Sequence, residues 1–217
     1  MTSHCSKVLA RALVLLVVAA PALARLPGRC GLRAGLNLSA FAGEFGDLVG
    51  PDLRAAPNAA FVYEYDFAPR VAFHTEVGYS GKGGKAKSEI TDQAGNPAGT
   101  ATETWSFEYV EVPLLVRGRL PALGSVTPFL ELGPSLGIRL SGRFETRPSI
   151  VGDHRFTDDM KLLDLGFGAG LGVEFAAGPG RLGVEARYTR GFSDLFDVSS
   201  NLSTINQAWT FALAFTR

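Results

Sequence analysis

The sequence has few of the side chains that carry chemistry. Its 217 residues include only two cysteines and three histidines. Cys5 and His4 lie in an N-terminal segment that we expect to be removed, which leaves Cys30, His74 and His154. A single thiol excludes an internal disulfide, and two histidines far apart in sequence give no recognisable metal-ligand spacing. We therefore predict neither a metal nor a cofactor.

Long apolar runs and clusters of basic residues are also missing. Beyond the N-terminal segment, no stretch approaches the ~20 apolar residues that a transmembrane helix needs. The formal net charge is zero, and removal of Lys7 and Arg11 from the 21 basic residues leaves 19 against 21 acidic ones. Nucleic-acid surfaces need basic residues clustered on one face. The sequence therefore predicts no nucleic-acid partner.

The N-terminus has the pattern of a cleaved secretory signal. Lys7 and Arg11 give a positive start, residues 12–20 (ALVLLVVAA) are apolar, and residues 22–24 (ALA) supply a small-x-small cleavage site. The alternative, a membrane-anchoring helix, requires a longer apolar run. We expect residues 1–24 to be the signal peptide and residues 25–217 to form one exported domain.

The exported domain is dominated by period-two alternation of apolar and polar residues. In the segment 163–175, leucine, phenylalanine, alanine and valine alternate with glycine and carboxylates. Successive side chains of a strand point to opposite faces, so this segment predicts a strand with one apolar face. Seven further segments alternate in the same way: 31–43, 55–66, 70–82, 104–117, 126–141, 181–192 and 204–217.

The predicted fourth strand, 104–117, breaks the alternation. Trp105, Phe107 and Tyr109 share one face, but the apolar series then continues on Val110, Val112, Leu114 and Val116. One extra residue in a strand changes which face the following side chains occupy. We therefore predict a β-bulge near Tyr109 and Val110.

The connections between the predicted strands alternate in length. Residues 44–54, 83–103, 142–160 and 193–203 form long connections, and residues 67–69, 118–125 and 176–180 form shorter ones. An up-and-down meander places all long connections at one end, and outer-membrane barrels have long extracellular loops and short periplasmic turns. The sequence therefore predicts an all-β fold, an eight-stranded antiparallel up-and-down transmembrane β-barrel.

The polar face decides between a membrane barrel and a soluble, ligand-binding barrel, whose apolar face would lie inside. This face is rich in glycine and serine and carries charges of both signs, which suits the interior of a narrow barrel. The residues that we expect to form a structural polar network in the lumen are Arg33, His74, Glu76, Glu131, Arg139, Asp164, Glu174, Glu185 and Arg187.

Aromatic residues near the strand ends also favour the membrane barrel. Membrane barrels have a belt of aromatic residues at each interface. On the apolar face, the aromatic residues expected at the loop side are Phe61, Tyr79, Trp105, Phe192 and Trp209, and those at the turn side are Phe67, Phe73, Phe175 and Phe215.

No pattern in the sequence indicates a catalytic site. The glycines of 166–172 have the wrong spacing for a phosphate-binding loop and lie inside a predicted strand. A lipid-modifying hydrolase would need a nucleophile within hydrogen-bond reach of a base. His74 with Glu76, Ser80 or Ser135 is the available combination, and we interpret it as lumenal structure instead.

Several short motifs occur in order along the chain: 79–84 (YSGKGG), 109–117 (YVEVPLLVR), 128–134 (PFLELGP), 164–174 (DLGFGAGLGVE) and 185–188 (EARY). Together they resemble the PorT-like outer-membrane β-barrel family, of eight-stranded OmpA/OmpX-type architecture. The resemblance implies an outer-membrane barrel without family-wide catalytic residues, and its name-giving member is linked to protein secretion. Barrels of this kind often end on an aromatic residue, whereas this chain ends Phe215-Thr216-Arg217.

These observations lead to one main hypothesis and three alternatives. The main hypothesis is a non-enzymatic, monomeric protein in the outer membrane of a Gram-negative-type bacterium, in contact with outer-membrane lipid and with a protein or ligand at its long loops. The alternatives are an accessory barrel for secretion or envelope assembly, a lipid-modifying outer-membrane enzyme, and a soluble ligand-binding barrel. Fold analogy alone does not decide among them.

Overall fold

The computed structural model describes residues 27–49, 52–91, 96–148, 154–155, 161–195 and 203–217. The predicted signal peptide, residues 1–24, lies outside these ranges. The described elements are β1 (Arg29–Ala42), α1 (Glu44–Val49), β2 (Arg54–Ala68), β3 (Val71–Thr91), β4 (Pro97–Arg119), β5 (Val126–Arg147), the two-residue β6 (His154–Arg155), β7 (Leu163–Ala177), β8 (Gly180–Gly191) and β9 (Ile205–Thr216).

The eight long strands form a closed antiparallel ring. Each pairs with the next long strand along the chain, including β4 with β5. The last strand, β9, pairs with the first, β1, so the ring has no open side. The pairing of β1 with β9, which closes the ring, includes Gly31 with Thr216. The short β6 pairs with β5. The predicted all-β, eight-stranded barrel is confirmed. In the described part of the chain, no helix is long and apolar enough to cross a bilayer.

The apolar face of the barrel points outward and the charged face points inward. Leu171 and Leu213 are 59% and 57% exposed, whereas Glu131 and Arg187, on neighbouring strands, are 2% and 5% exposed. The same arrangement, with apolar residues outside and charged residues inside, continues around the ring because directly paired residues share a face. A surface of exposed leucine, valine and phenylalanine is what a hydrocarbon environment requires.

One of the predicted long loops is largely strand, and another begins as strand. β3 continues to Thr91 and β4 begins at Pro97, so most of 83–103 is a β-hairpin, and β5 continues to Arg147. The prediction was wrong here because the outward face of these segments is polar, unlike the outward face of the strands that meet lipid. Beyond the membrane a strand needs no apolar face, so the alternation that marks the other strands is lost. The three short turns agree with the prediction.

The predicted bulge in β4 is also corrected. A register shift does lie between Glu108 and Tyr109, but the skipped residue is Leu140 of β5, and β4 pairs regularly with β3 across this region. Odd-numbered residues of β4 point inward from Ala101 to Arg119. Trp105, expected in the outer aromatic belt, is therefore only 8% exposed and faces the lumen.

Leu171 tests which face meets lipid. Leu171→Arg puts a charge into hydrocarbon and should lower the free energy of unfolding in a bilayer by about 2–4 kcal/mol, as expected near the midplane. Leu171→Phe should leave it nearly unchanged, because lipid adapts to side-chain shape and a packed core does not. Denaturant titration of protein folded into vesicles measures both. Equal losses for the two variants would contradict an outward-facing Leu171.

Candidate functional site in the barrel lumen

The half of the lumen nearer the short turns is filled by charged side chains. Every long strand except β9 contributes, and β9 makes room with small inward residues such as Ala212 and Ala214. We call the group the ionic cluster. Its members, all less than 9% exposed, are Arg33, Glu64, His74, Glu76, Arg117, Arg119, Glu131, Glu174, Glu185 and Arg187.

Arg117 is the centre of the ionic cluster. Its Nη1 donates to Glu64 Oε2 at 3.1 Å and to Glu174 Oε1 at 2.9 Å. Its Nη2 donates to Glu131 Oε2 at 2.6 Å and to Glu185 Oε2 at 3.2 Å. A guanidinium has five donors in a planar fork, so one arginine can serve several carboxylates. Arg117 thus joins four strands on opposite sides of the barrel.

Two further arginines extend the cluster toward the loop end. Arg187 Nε donates to Glu131 Oε1 at 2.7 Å, and Arg187 Nη2 donates to Glu76 Oε1 at 2.6 Å. Arg33 Nε donates to Glu185 Oε1 at 2.5 Å. Glu76 and Glu131 each contact two arginines and Glu185 contacts three, so no carboxylate in this part depends on a single partner.

Arg119 carries the cluster to the turn end. It contacts Glu64, and its Nε donates to Glu174 Oε2 at 3.2 Å and its Nη1 to Asp66 Oδ1 at 2.7 Å. Arg29 of β1 also contacts Glu64 and Asp66. The charges therefore run as a continuous chain of contacts from the barrel centre to its turn-end mouth.

His74 lies inside the cluster with no solvent exposure. Its Nδ1 is 3.3 Å from Glu64 Oε2, and its Nε2 is 2.9 Å from Glu76 Oε1. The serines considered as nucleophiles are engaged elsewhere: Ser80 Oγ accepts from Asn37, and Ser135 Oγ donates to Glu111 Oε1 at 2.9 Å. The structure therefore brings neither serine to His74.

The structure separates the residues expected in one polar network. Arg33, His74, Glu76, Glu131, Glu174, Glu185 and Arg187 lie in the ionic cluster. Asp164 instead lies nearer the loop end, where Asn206 Nδ2 donates to its Oδ2 at 2.9 Å and Lys82 Nζ is 3.9 Å away. Arg139 is half-buried, and its Nε donates to the Lys161 carbonyl oxygen at 3.2 Å.

Sequence reasoning missed Glu64, Arg117 and Arg119, which include the centre of the cluster. Glu64 lies on the polar face of the predicted second strand. Arg117 is odd-numbered, whereas the outward residues Val112, Leu114 and Val116 of the same strand are even-numbered. The alternation of faces along the strand could therefore have placed Arg117 in the lumen. Arg119 follows the predicted end of that strand, and only the structure extends β4 to it.

The loop-end half of the lumen is filled differently, by an apolar group that we call the aromatic plug. Its buried members are Phe41, Ala86, Trp105, Phe107, Tyr109 and Leu195, with Phe45 and Phe144 packed against them. Phe45 comes from α1, and its ring centroid lies 5.7 Å from that of Trp105 in an edge-on arrangement. Edge-to-face contacts of this kind are favourable. The short helix therefore helps to close the loop end of the barrel.

Between the ionic cluster and the aromatic plug lies a cavity of about 20 Å³, lined among others by Arg33, Glu76, Arg187 and Glu111. That is room for about one water molecule. Among the residues that the structure describes, Arg33 Nη2 has no hydrogen-bond partner, and it is the group that such a water would satisfy. In the described part of the chain, no group of three or more His, Cys, Asp or Glu side chains is arranged to hold a metal.

The fold and the filled lumen define the class: an integral membrane β-barrel with an apolar outer surface. The model of a family described as outer membrane protein beta-barrel domain matches residues 25–197. The chain belongs to this family and is an outer-membrane protein. A search of curated protein sequences gave no significant match.

Solved outer-membrane barrels have similar structures at low sequence identity. Neisserial surface protein A matches with a TM-score of 0.47 and 12% identity, covering 85% of this chain and 95% of that one. Ail, the attachment invasion locus protein of Yersinia pestis, matches with a TM-score of 0.44 and 13% identity, covering 88% and 100%. OprG of Pseudomonas aeruginosa matches with a TM-score of 0.43 and 10% identity, covering 88% and 96%.

Arg187 tests the ionic cluster. Arg187→Ala leaves Glu76, Glu131 and Glu185 with one fewer partner in a buried site, which should lower the free energy of unfolding by roughly 3–5 kcal/mol. Arg147→Ala is the matched control, since that side chain is 74% exposed and its ion pair lies in solvent. Denaturant titration in vesicles compares the two. A loss no larger for Arg187→Ala than for the control would rule out the cluster as a stabilising unit.

Two glycines of β7 test the packing of the lumen. A side chain at Gly172 would collide with the ring of Phe129, whose ring centre lies 4.0 Å from the guanidinium carbon of Arg117. At Gly168 the nearest atom is 3.5 Å away, an ordinary contact. Gly172→Ala should therefore cost about 1–3 kcal/mol through overpacking, and Gly168→Ala much less. Thermal unfolding of both variants checks the order, and the reverse order would refute this packing.

Proposed function

We propose that this protein is a non-enzymatic outer-membrane barrel that offers an extracellular β-sheet edge to a protein partner. The proposal includes export by the signal peptide at residues 1–24, a monomeric barrel, and an orientation with the loop end outside the cell. The filled lumen supports a display role rather than a wide pore, because the ionic cluster and the aromatic plug occupy both halves.

The observation that carries the proposal is an extension of the sheet above the barrel. It consists of residues 83–91 of β3, 97–104 of β4 and 142–147 of β5, which pair with one another beyond the level at which β1 and β2 end. Lys87, Ser88 and Glu89 are exposed here. The outward face of this extension is polar and carries Lys85, Lys87 and Glu89, which suits a position in solvent rather than in lipid. Its inner face includes Ala86 and Phe144 of the aromatic plug.

The β3 side of the extension has an open edge. The backbone nitrogen of Lys85 donates to the Asp52 carbonyl oxygen at 3.2 Å, so the backbone groups of Lys85 point away from β4. In an antiparallel strand the backbone groups of every second residue point to the same side. Those of Lys87 and Glu89 therefore point to the open edge, and no described strand pairs with them there.

An open strand edge is a ready template for a further strand. Unpaired N–H and C=O groups accept an extended segment of another chain, with backbone hydrogen bonds for affinity and alternate side chains for specificity. The exposed Lys87 and Glu89 prevent indiscriminate pairing between copies of the barrel, as charged edges do in other sheets. We infer that the partner supplies an extended segment with complementary charges.

Glu89 tests the edge directly. Glu89→Pro removes one donor from the open edge without removing a hydrogen bond to β4, so it should weaken partner binding at least tenfold, about 1.4 kcal/mol, with unchanged barrel stability. The partner is first captured on intact cells by a photo-crosslinker at position 87 and identified by mass spectrometry. Its affinity for the purified variants is then measured.

Ser88→Pro is the control for the hairpin itself. Its backbone nitrogen faces β4, opposite Ala101, so proline there should break the ladder and loosen the extension. Wild-type affinity in Glu89→Pro, or failure to capture any extracellular protein from position 87, would contradict the proposed edge function.

A second candidate is an accessory role in secretion or envelope assembly, as the resemblance to PorT-like barrels implies. It is favoured by a groove of about 400 Å³ at the turn end, lined by Arg70, Arg119 and Arg181 with Glu174. In the proposed orientation this groove faces the periplasm and suits an acidic segment of a partner. Arg70→Glu should then impair envelope assembly or secretion in cells while leaving Glu89-dependent binding unchanged.

A lipid-modifying activity has no comparable support. His74 is fully enclosed by the ionic cluster and is not open to a substrate. A hydrolase needs its nucleophile and base open to the substrate.

A further inference from the structure

A groove lies on the lipid-facing surface at the loop end of the barrel. Two rows of paired residues frame it: Leu38, Trp209 and Tyr188 form the lower row, and Ala40, Gln207 and Arg190 form the upper one. Large side chains stand in the lower row and small Ala40 lies in the upper, beside Leu53 just before β2. The result is a depression of about 540 Å³ over Ala40 and Gln207.

The groove has apolar walls and no unsatisfied polar group on its floor. The rings of Tyr188 and Trp209 pack together with their centroids 5.2 Å apart. Tyr188 Oη donates to Gln207 Oε1 at 2.8 Å, and Gln207 Nε2 donates to the Phe41 carbonyl oxygen at 3.2 Å. The polar groups of both side chains are thus bonded to the protein. An apolar ligand can occupy the groove without leaving a polar group unpaired.

The groove lies near the upper boundary of the apolar band. Along β9, Gln207 is eight residues from Phe215 at the turn end, which corresponds to roughly 20 Å of height for a strand tilted by about 40°. The apolar band of such barrels is about 25 Å tall. The groove is therefore within reach of acyl chains, and its upper row is at the level of lipid headgroups.

Arg190 supplies the charge at this level. It pairs directly with Gln207 and points outward, and neither a hydrogen bond nor an ion pair is described for its exposed side chain. Neighbouring strands are about 4.8 Å apart, so Ala40 and Arg190 are separated by about 10 Å along the row. An apolar groove and an exposed guanidinium thus lie side by side at the membrane boundary.

We infer that this groove binds one acyl chain of a phosphate-bearing lipid of the outer leaflet, with the phosphate on Arg190. The chain packs against Trp209, Tyr188 and Leu38, and the guanidinium meets the phosphate through charge-assisted hydrogen bonds. This site is formed by β1, β8 and β9 together with Leu53, and it does not include Lys87 or Glu89 of the open edge of β3.

The fluorescence of Trp209 tests the inference. The chain has two tryptophans, and Trp105→Phe removes the lumenal one, so quenching by brominated acyl chains then reports on the groove. The protein is reconstituted in phosphatidylcholine vesicles with a small fraction of brominated phosphatidic acid or, in parallel, of brominated phosphatidylcholine. We expect roughly fivefold enrichment of phosphatidic acid beside Trp209, the ratio that corresponds to about 1 kcal/mol per basic residue at a membrane surface.

Two pairs of variants separate the headgroup from the acyl chain. Arg190→Gln should abolish the preference for phosphatidic acid, whereas Arg147→Gln, an exposed arginine of the extension, should leave it intact. Ala40→Phe should fill the groove and reduce quenching by both lipids, whereas Ala34→Phe, lower on the same face of β1, should not. Equal quenching by the two lipids in the wild type, or a preference that survives Arg190→Gln, would overturn the inference. The Arg190 comparison is decisive even if Ala40→Phe fails to fold.

Discussion

Mutual neutralisation of buried charge is the constraint on which this barrel depends. Four arginines and five glutamates of the ionic cluster lie inside a ring too narrow for bulk water. An isolated charge in such a place costs several kcal/mol, so the arrangement is tolerable only because each group meets partners from several strands. The small inward residues of β9 and the glycines of β7 follow from fitting these side chains into the lumen.

Much of the fold was predictable because apolar and polar residues must alternate along every strand that has one face in lipid and the other in the lumen. The segment 163–175 has this pattern without interruption, and β7 occupies it. The pattern failed where that constraint ends. Above the membrane, β3 and β4 continue as strands whose outward face is polar, and their sequence does not distinguish a hairpin from a loop. The position of Trp105 was mistaken because an aromatic residue suits both a membrane belt and an internal plug.

The candidate site was predictable in kind but not in arrangement. Parity along each strand is enough to place Glu131, Glu174, Glu185 and Arg187 in the lumen. The alternation of faces does not give the height of a residue along the barrel axis, and that height determines which charged side chains contact one another. Asp164 and Arg139 share the inward parity but lie nearer the loop end, whereas Arg117 reaches four carboxylates because of its level in the barrel. The groove beside Arg190 depends on register across three strands, which no single segment contains.

The contact between Arg33 and Glu185 joins positions 152 residues apart in the chain. It forms only when the first and penultimate strands of the ring are both in place, and the seam between β1 and β9 spans an even longer stretch. Non-local contacts of this kind slow folding because a large loop must close first. Until β1 pairs with β9, arginines and glutamates of the early strands lack some of the oppositely charged partners that they contact in the closed ring. Membrane insertion and ring closure are therefore expected to be concerted, since a half-built barrel would hold uncompensated charge at membrane depth.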